Sequence, residues 1–176
     1  RRYGDHAGDS QYDGFVSGRC QRNCRSCQGN GGNAGPCYIR LNRNEYENVT
    51  EEHEPFVIGQ PKVMREGHDV AVLATGYMVR LALKAAESLR DQISVKVINI
   101  STIKPLNREK LIELTKGVRG IVTAEEHSVV GGLGSAVSEA MRRECVPIEY
   151  VGVEDTFGCS AHDYQHLLWH YGLTEE

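Results

Sequence analysis

From Cys37 onward, short apolar runs alternate with amphipathic stretches. Val70–Ala74, Val95–Ile100, Ile121–Ala124 and Ile148–Val153 are short and rich in Val and Ile. Branched side chains suit a pleated surface, and an uninterrupted apolar run implies a strand covered on both faces, as in a parallel sheet. Between the runs, Met78, Leu81, Ala82, Ala85 and Leu89 recur at helical spacing and form one apolar stripe, and Leu133, Ala136, Val137, Ala140 and Met141 form another. Asn107, with Pro105 just upstream, predicts a capped short helix through Leu114. Ser160 followed by Asp163 resembles a capping box, ahead of a terminal helix marked by Tyr164, Leu167, Leu168 and Tyr171. Phe56–Ile58 and Lys62–Met64, followed by a turn at Gly67, predict a strand or hairpin leading into the sheet. Strand–helix alternation with right-handed crossovers predicts an α/β fold. Its form is a three-layer sandwich around a mostly parallel sheet of about five strands.

Residues 1–36 break this pattern. They hold 8 of the 19 glycines and 3 of the 6 cysteines, Val16 is their one large aliphatic residue, and Leu and Ile are absent. Such a segment buries too little apolar area to offset its chain entropy, so an irregular arm is expected. Over the whole chain, 40% hydrophobic residues supply a core for one domain. The net charge of −4 argues against general affinity for nucleic acid or an anionic membrane, which need a basic surface. No apolar run approaches the roughly 20 residues of a membrane span, and no charged-then-apolar leader opens the chain. Six cysteines are too few for a disulfide scaffold. A soluble, cytoplasmic protein is expected.

Several clusters invite a chemical reading. Cys20, Cys24 and Cys27 have a spacing that can hold three irons of a four-iron cluster, and Cys37 is a distant fourth thiol for zinc. Their flanks lack apolar shielding, and the chain beyond them is too short for a radical-enzyme barrel, so no metal is expected. Gly131-Gly132-Leu133-Gly134-Ser135 precedes a helix and can hold an anion on its N–H groups. Val137 spoils the dinucleotide fingerprint, and close packing of helix on sheet is the favoured reading. Glu125, Glu126 and His127 end a strand where open parallel sheets bind ligands. They are candidates for acid–base work, or for hydrogen bonds tying the loop to a helix start. Arg40 and Arg43 can each grip a phosphate through two parallel hydrogen bonds, but by pattern alone a surface or salt-bridged arginine is the favoured reading.

The order of short motifs then adds a family resemblance. Gly35–Arg43, Phe56–Val63, Ala74-Thr75-Gly76, Thr102–Leu106, Thr123–His127 and Gly131–Val137 follow one another as in transketolases. Residues 35–176 resemble the end of the transketolase pyrimidine-binding domain and the C-terminal domain. Deoxyxylulose-phosphate synthase and the beta subunits of 2-oxo-acid dehydrogenases share that domain, and here it would act in dimerisation or interaction. The Ile58–Lys62 and Ile103–Leu106 runs favour transketolase proper. On this resemblance, residues 1–34 are an irregular arm or an aberrant remnant of the pyrimidine-binding domain. Residues 35–51 close that domain and form a linker, and 52–176 are the C-terminal domain.

The resemblance implies a cytoplasmic transferase of the pentose phosphate pathway that moves a two-carbon ketol unit between sugar phosphates. Thiamine diphosphate and a divalent metal (Mg) would sit in other domains of the full assembly, with none bound by this chain alone. The implied partners are a second copy in a homodimer, an N-terminal thiamine-diphosphate-binding subunit or domain, and the sugar-phosphate substrate. Arg43 occupies the position of an arginine that contacts the sugar phosphate, and Arg40 occupies a structural one. No catalytic, cofactor or metal residue carries over, and the isolated chain is expected to be inactive. Residues 1–34 match nothing in the family. A one-base shift over Arg1–Asp9 permits an apolar strand ending in Pro-Ala, as the family has there. A frame slip restored before Gly35 is one account of the segment, and an authentic linker or appended stretch is the other. Sequencing the gene around codon 1 separates them. On the frame-slip account the cysteine triplet is accidental.

Overall fold

A computed structural model describes residues 13–17, 37–42, 49–50 and 56–175, with backbone alone for 13–17 and Leu41. The described elements are β1 (Asp13–Ser17), β2 (Cys37–Leu41), β3 (Lys62–Arg65), β4 (Val70–Ala74), α1 (Met78–Ser88), β5 (Val95–Asn99), β6 (Thr102–Lys104), α2 (Arg108–Leu114), β7 (Gly120–Ser128), α3 (Leu133–Met141), β8 (Ile148–Val153) and α4 (Tyr164–His170). Five strands form one sheet in the order β3-β5-β4-β7-β8. β5, β4, β7 and β8 are parallel, and β3 is an antiparallel edge. The expected α/β fold and mostly parallel five-stranded sheet are what the chain forms.

Alternation along the strands sends successive side chains to opposite faces. On one face Ala71, Leu73, Ile98 and Ile121 pack with Leu111 of α2 and with Leu133, Val137 and Met141 of α3. On the other, Ala74, Val95, Val97 and Ala124 pack with Met78, Leu81 and Ala82 of α1 and with Leu168 of α4. The three layers follow from this division. Leu73, Ile98, Leu111, Ile121 and Leu133 are almost wholly sequestered from water. Removing a side chain of this size from water contributes about 1.5–3 kcal/mol.

Local differences from the predicted pattern have local causes. In α1 the buried positions include Val79 and Ala86, whereas Ala85 is half-buried and Leu89 is exposed. Leu89 is the C-cap residue, past the last turn of the helix, where the packed stripe ends. Asn107 caps α2 as expected, its Oδ1 accepting the Lys110 N–H at 2.9 Å. The cap of α4 is Asp163 rather than Ser160. The helix starts at Tyr164, and Asp163 Oδ1 accepts the His166 N–H at 2.9 Å, the third residue of the helix. Phe56–Ile58 form irregular chain entering a turn, and Lys62–Arg65 alone of that predicted hairpin is a strand.

A second sheet has the order β2-β1-β6, with β1 parallel to β2 and antiparallel to β6. The composition of residues 1–36 predicts an irregular arm, yet Asp13–Ser17 form β1 within it. Ladder hydrogen bonds are made by the main chain and do not require apolar side chains. Cys20, Cys24, Cys27 and the rest of that segment lie outside the described residues. No helix among the described residues is long and apolar enough to cross a membrane.

Candidate functional site

The chemistry-bearing residues gather where β7 ends. The apolar part of β7 stops at Ala124, but the strand continues through Glu125, Glu126 and His127 to Ser128. Alternation sends Glu125 toward α3 and Glu126 toward α4. Each acid meets a different set of donors, and these donors let charged residues prolong a buried strand.

Glu125 is fully buried. Its Oε2 accepts the Leu133 N–H at 2.7 Å, and its Oε1 accepts the Gly134 N–H at 2.8 Å. The start of α3 therefore holds an anion supplied by the chain itself, in the place where free N–H groups favour negative charge. Two glycines allow this approach. A Cβ on Gly132 would land on the Glu125 carboxylate and the Ser128 carbonyl oxygen, and one on Gly134 would land on the Tyr150 ring. The Gly131 N–H donates to Ser135 Oγ at 2.9 Å, and Ser135 Oγ–H donates to the Val129 carbonyl at 3.1 Å. Of the two readings of this loop, close packing is the one the geometry carries, with Glu125 as the anion in the cradle. Acid–base work by Glu125 does not fit, because the carboxylate is closed to solvent and both its oxygens are engaged.

Glu126 faces the other way and joins three elements. Its Oε2 accepts from Asn42 Nδ2 at 3.1 Å and from the Tyr164 hydroxyl at 2.6 Å. Its Oε1 lies 3.9 Å from the Arg40 guanidinium, with both side chains partly exposed. Arg40 is thus an ion-pair partner of Glu126. Tyr164 also meets the Tyr77 ring edge-on, with centroids 5.7 Å apart, which links the start of α4 to the start of α1. Asp163 fixes that start. The His166 N–H, and then the His166 imidazole, hold its carboxyl below the ordinary carboxylate range. His127 is buried, and its Nδ1–H donates to the Ser128 carbonyl at 2.9 Å, a bond that requires the proton on Nδ1.

Arg40, Glu126, His127, Glu154, Tyr164 and Tyr171 are among the residues that line a cleft of about 400 Å³. The cleft opens beyond the carboxyl ends of β7 and β8, the usual ligand position in an open parallel sheet. Arg40 of β2 is among the lining residues, so the chain's own upstream segment borders the cleft.

Arg43 lies outside the described residues. Cys37 is half-buried in β2, and Cys145 and Cys159 are exposed. Among the described residues, no group of three or more His, Cys, Asp or Glu side chains is placed to hold a metal ion. Sequence reasoning passed over Asn42, which it met as part of a motif, and Tyr164, which it used to mark a helix. They lie 84 and 38 residues from Glu126, and a separation of that size leaves no periodic signal.

The family model described as transketolase, C-terminal domain, matches residues 59–176. The chain is 45% identical over 143 residues to the 6-deoxy-6-sulfo-D-fructose transketolase subunit SqwH of Clostridium sp. (strain MSTE9), covering 80% of this chain and 44% of that protein. It is 39% identical over 127 residues to the 1-deoxy-D-xylulose-5-phosphate synthase of Rippkaea orientalis, covering 69% of this chain and 20% of that protein. Among solved structures, a split-gene transketolase described as an inactive beta4 tetramer superposes with a TM-score of 0.88 at 39% identity, covering 94% of this chain and 55% of that one. The chain spans less than half the length of these curated relatives.

Proposed function

Because the chain belongs to the transketolase family through its C-terminal domain, we propose that it serves a ketol transferase that moves a two-carbon unit between sugar phosphates. The observation that supports this most is the run Gly35–Arg43, which leads into the matched domain and ends in an arginine. A guanidinium binds a phosphate dianion through two parallel hydrogen bonds and does not titrate while doing so. In this reading Arg43 holds the phosphate end of the substrate. The working protein is a cytoplasmic homodimer in which an N-terminal domain or subunit holds thiamine diphosphate and Mg²⁺.

The described residues do not fit the coenzyme. The amides at the start of α3 already hold Glu125, and no metal-ligand group is placed among those residues. In this reading carbanion chemistry belongs to the coenzyme in the other part of the enzyme, and this chain contributes shape and substrate contacts.

The test is to combine the chain with its thiamine-diphosphate-binding part and assay transfer from a ketose phosphate to an aldose phosphate. Transfer by the combination, none by the chain alone, and a raised KM in R43A are the expected results. Transfer by the purified chain alone, or none by the combination, overturns the reading. Identity to a 1-deoxy-D-xylulose-5-phosphate synthase favours a second reading, service in the synthesis of 1-deoxy-D-xylulose 5-phosphate. Assaying the same preparation for that product decides between them.

A further inference from the structure

We infer that the groove between β6 and α3 binds a small phosphate ester, a role beyond the ketol-transfer reading and independent of it. The groove encloses about 550 Å³. Sites for small organic ligands span roughly 300–1,000 Å³. Three cations line it, each from a different element: Lys104 ends β6, Arg108 opens α2, and Arg142 is the C-cap of α3. Glu139 is the one carboxylate among the lining residues. The chain as a whole carries a net charge of −4, so the groove runs against the sign of the molecule. A concave basic wall concentrates anions from solution.

The two arginines are committed to different degrees. Arg108 Nε donates to the Ala140 carbonyl at 2.6 Å, and its guanidinium lies 3.6 Å from Glu144. Arg108 therefore ties α2 to the end of α3 and fixes the shape of the groove. Arg142 spends only Nη1, on the Glu139 carbonyl at 3.1 Å. Among the described residues its Nε and Nη2 have no acceptor, and the side chain is exposed. Those two nitrogens form one edge of the guanidinium fork, the edge that meets two phosphate oxygens in parallel. Cations settle at the carbonyl end of a helix, which accounts for the arginines at the end of α3. It does not account for Lys104, which comes from a strand and brings a further charge to the same groove. Arg142 and Lys104 together match the charge of a phosphate monoester, about −1.5 to −2 at neutral pH. The start of α3 takes no part, since its amides hold Glu125. A bare phosphate would fill little of the space, and half-buried Leu106 and Ala136 add apolar surface to the lining. The ligand class is therefore a phosphate ester with a partly apolar body.

The test titrates the 176-residue chain with phenyl phosphate, inorganic phosphate and phenol in turn, followed by nitrogen–proton NMR. Phenyl phosphate is expected to shift the resonances of residues 103–108 and 135–142 saturably, with higher affinity than inorganic phosphate, and phenol is expected to leave them in place. R142A and K104A should each weaken binding roughly tenfold, the scale of one charge-assisted hydrogen bond. E139Q should tighten it by removing the opposing charge. R119A, at the amino ends of the strands, should change nothing. Absence of saturable shifts at those residues overturns the inference, as does weakening by R119A equal to that by R142A, which would show diffuse attraction alone. Equal affinity for inorganic phosphate overturns the assignment to an ester. Should R142A or K104A lower the melting temperature, E139Q decides: tighter binding upholds the site, and unchanged binding removes it.

Discussion

The two ends of the main sheet treat polar residues differently. At the carboxyl ends of the strands, polar side chains are buried: Thr75 after β4, Asn99, Ser101 and Thr102 around β5 and β6, and Thr123, Glu125 and His127 in β7. At the amino ends, polar ties lie near the surface. Asp69, just before β4, accepts the Ser94 N–H at 2.8 Å and the Arg119 guanidinium at 2.9 Å, and Arg119 is exposed. Burying a polar group costs free energy unless it is hydrogen-bonded, so a fold that concentrates such groups at one end has invested its order there. That is the end where the helices begin and where β2 docks. The amino end closes turns and is open to water.

Substitutions can break or sharpen this contrast. The largest effect is expected for E125A, which leaves the Leu133 and Gly134 N–H groups buried without their carboxylate. Unsatisfied buried donors cost about 1–3 kcal/mol each, so a loss of about 3 kcal/mol is expected, or roughly 10 °C in melting temperature. Thermal unfolding followed by circular dichroism measures it, and a loss below about 1 kcal/mol would remove the distinction between the ends. Asn107 gives an intermediate case, a half-buried cap at the same end. N107A should cost about 1 kcal/mol in denaturant titration, since one helix-start N–H loses its acceptor to water and not to an apolar interior.

The smallest effect is expected at Asp69, and it depends on pH. The Ser94 N–H, assisted by Arg119, holds its carboxyl below the ordinary carboxylate value. A carboxyl whose folded value is lowered stabilises the fold above its ordinary value, and this contribution is lost as pH falls through that range to the lowered one. The gap in melting temperature between wild type and D69N should be small at neutral pH and close on acidification. A gap that widens in acid would show the assignment to be wrong.

Much of this fold is legible in the sequence because burial on both faces leaves continuous apolar runs. β4 begins and ends with its run, and so does β8, although as an edge strand it is only partly buried. β7 outlasts its run by four residues, since Glu125 and Glu126 find partners that apolar periodicity does not register. β6 has three residues, too few for a pattern, and pairs with a strand far away in the chain. At the candidate site, the end of β7 and the glycine loop were visible as a strand end and a helix start. Which acid faced which element was not visible, because that depends on the layer each side chain enters. Asn42 and Tyr164 became partners of one carboxylate through topology alone.

The pair of glycines at the start of α3 also restricts how this region can drift over generations. At position 134 the obstacle is a ring, so a smaller residue at Tyr150 would clear much of the way before an alanine arrived. At position 132 one obstacle is the Ser128 carbonyl oxygen, which belongs to the main chain and cannot be exchanged. Change at 134 has a permitted order of steps, whereas 132 has no permissive first step among its side-chain neighbours.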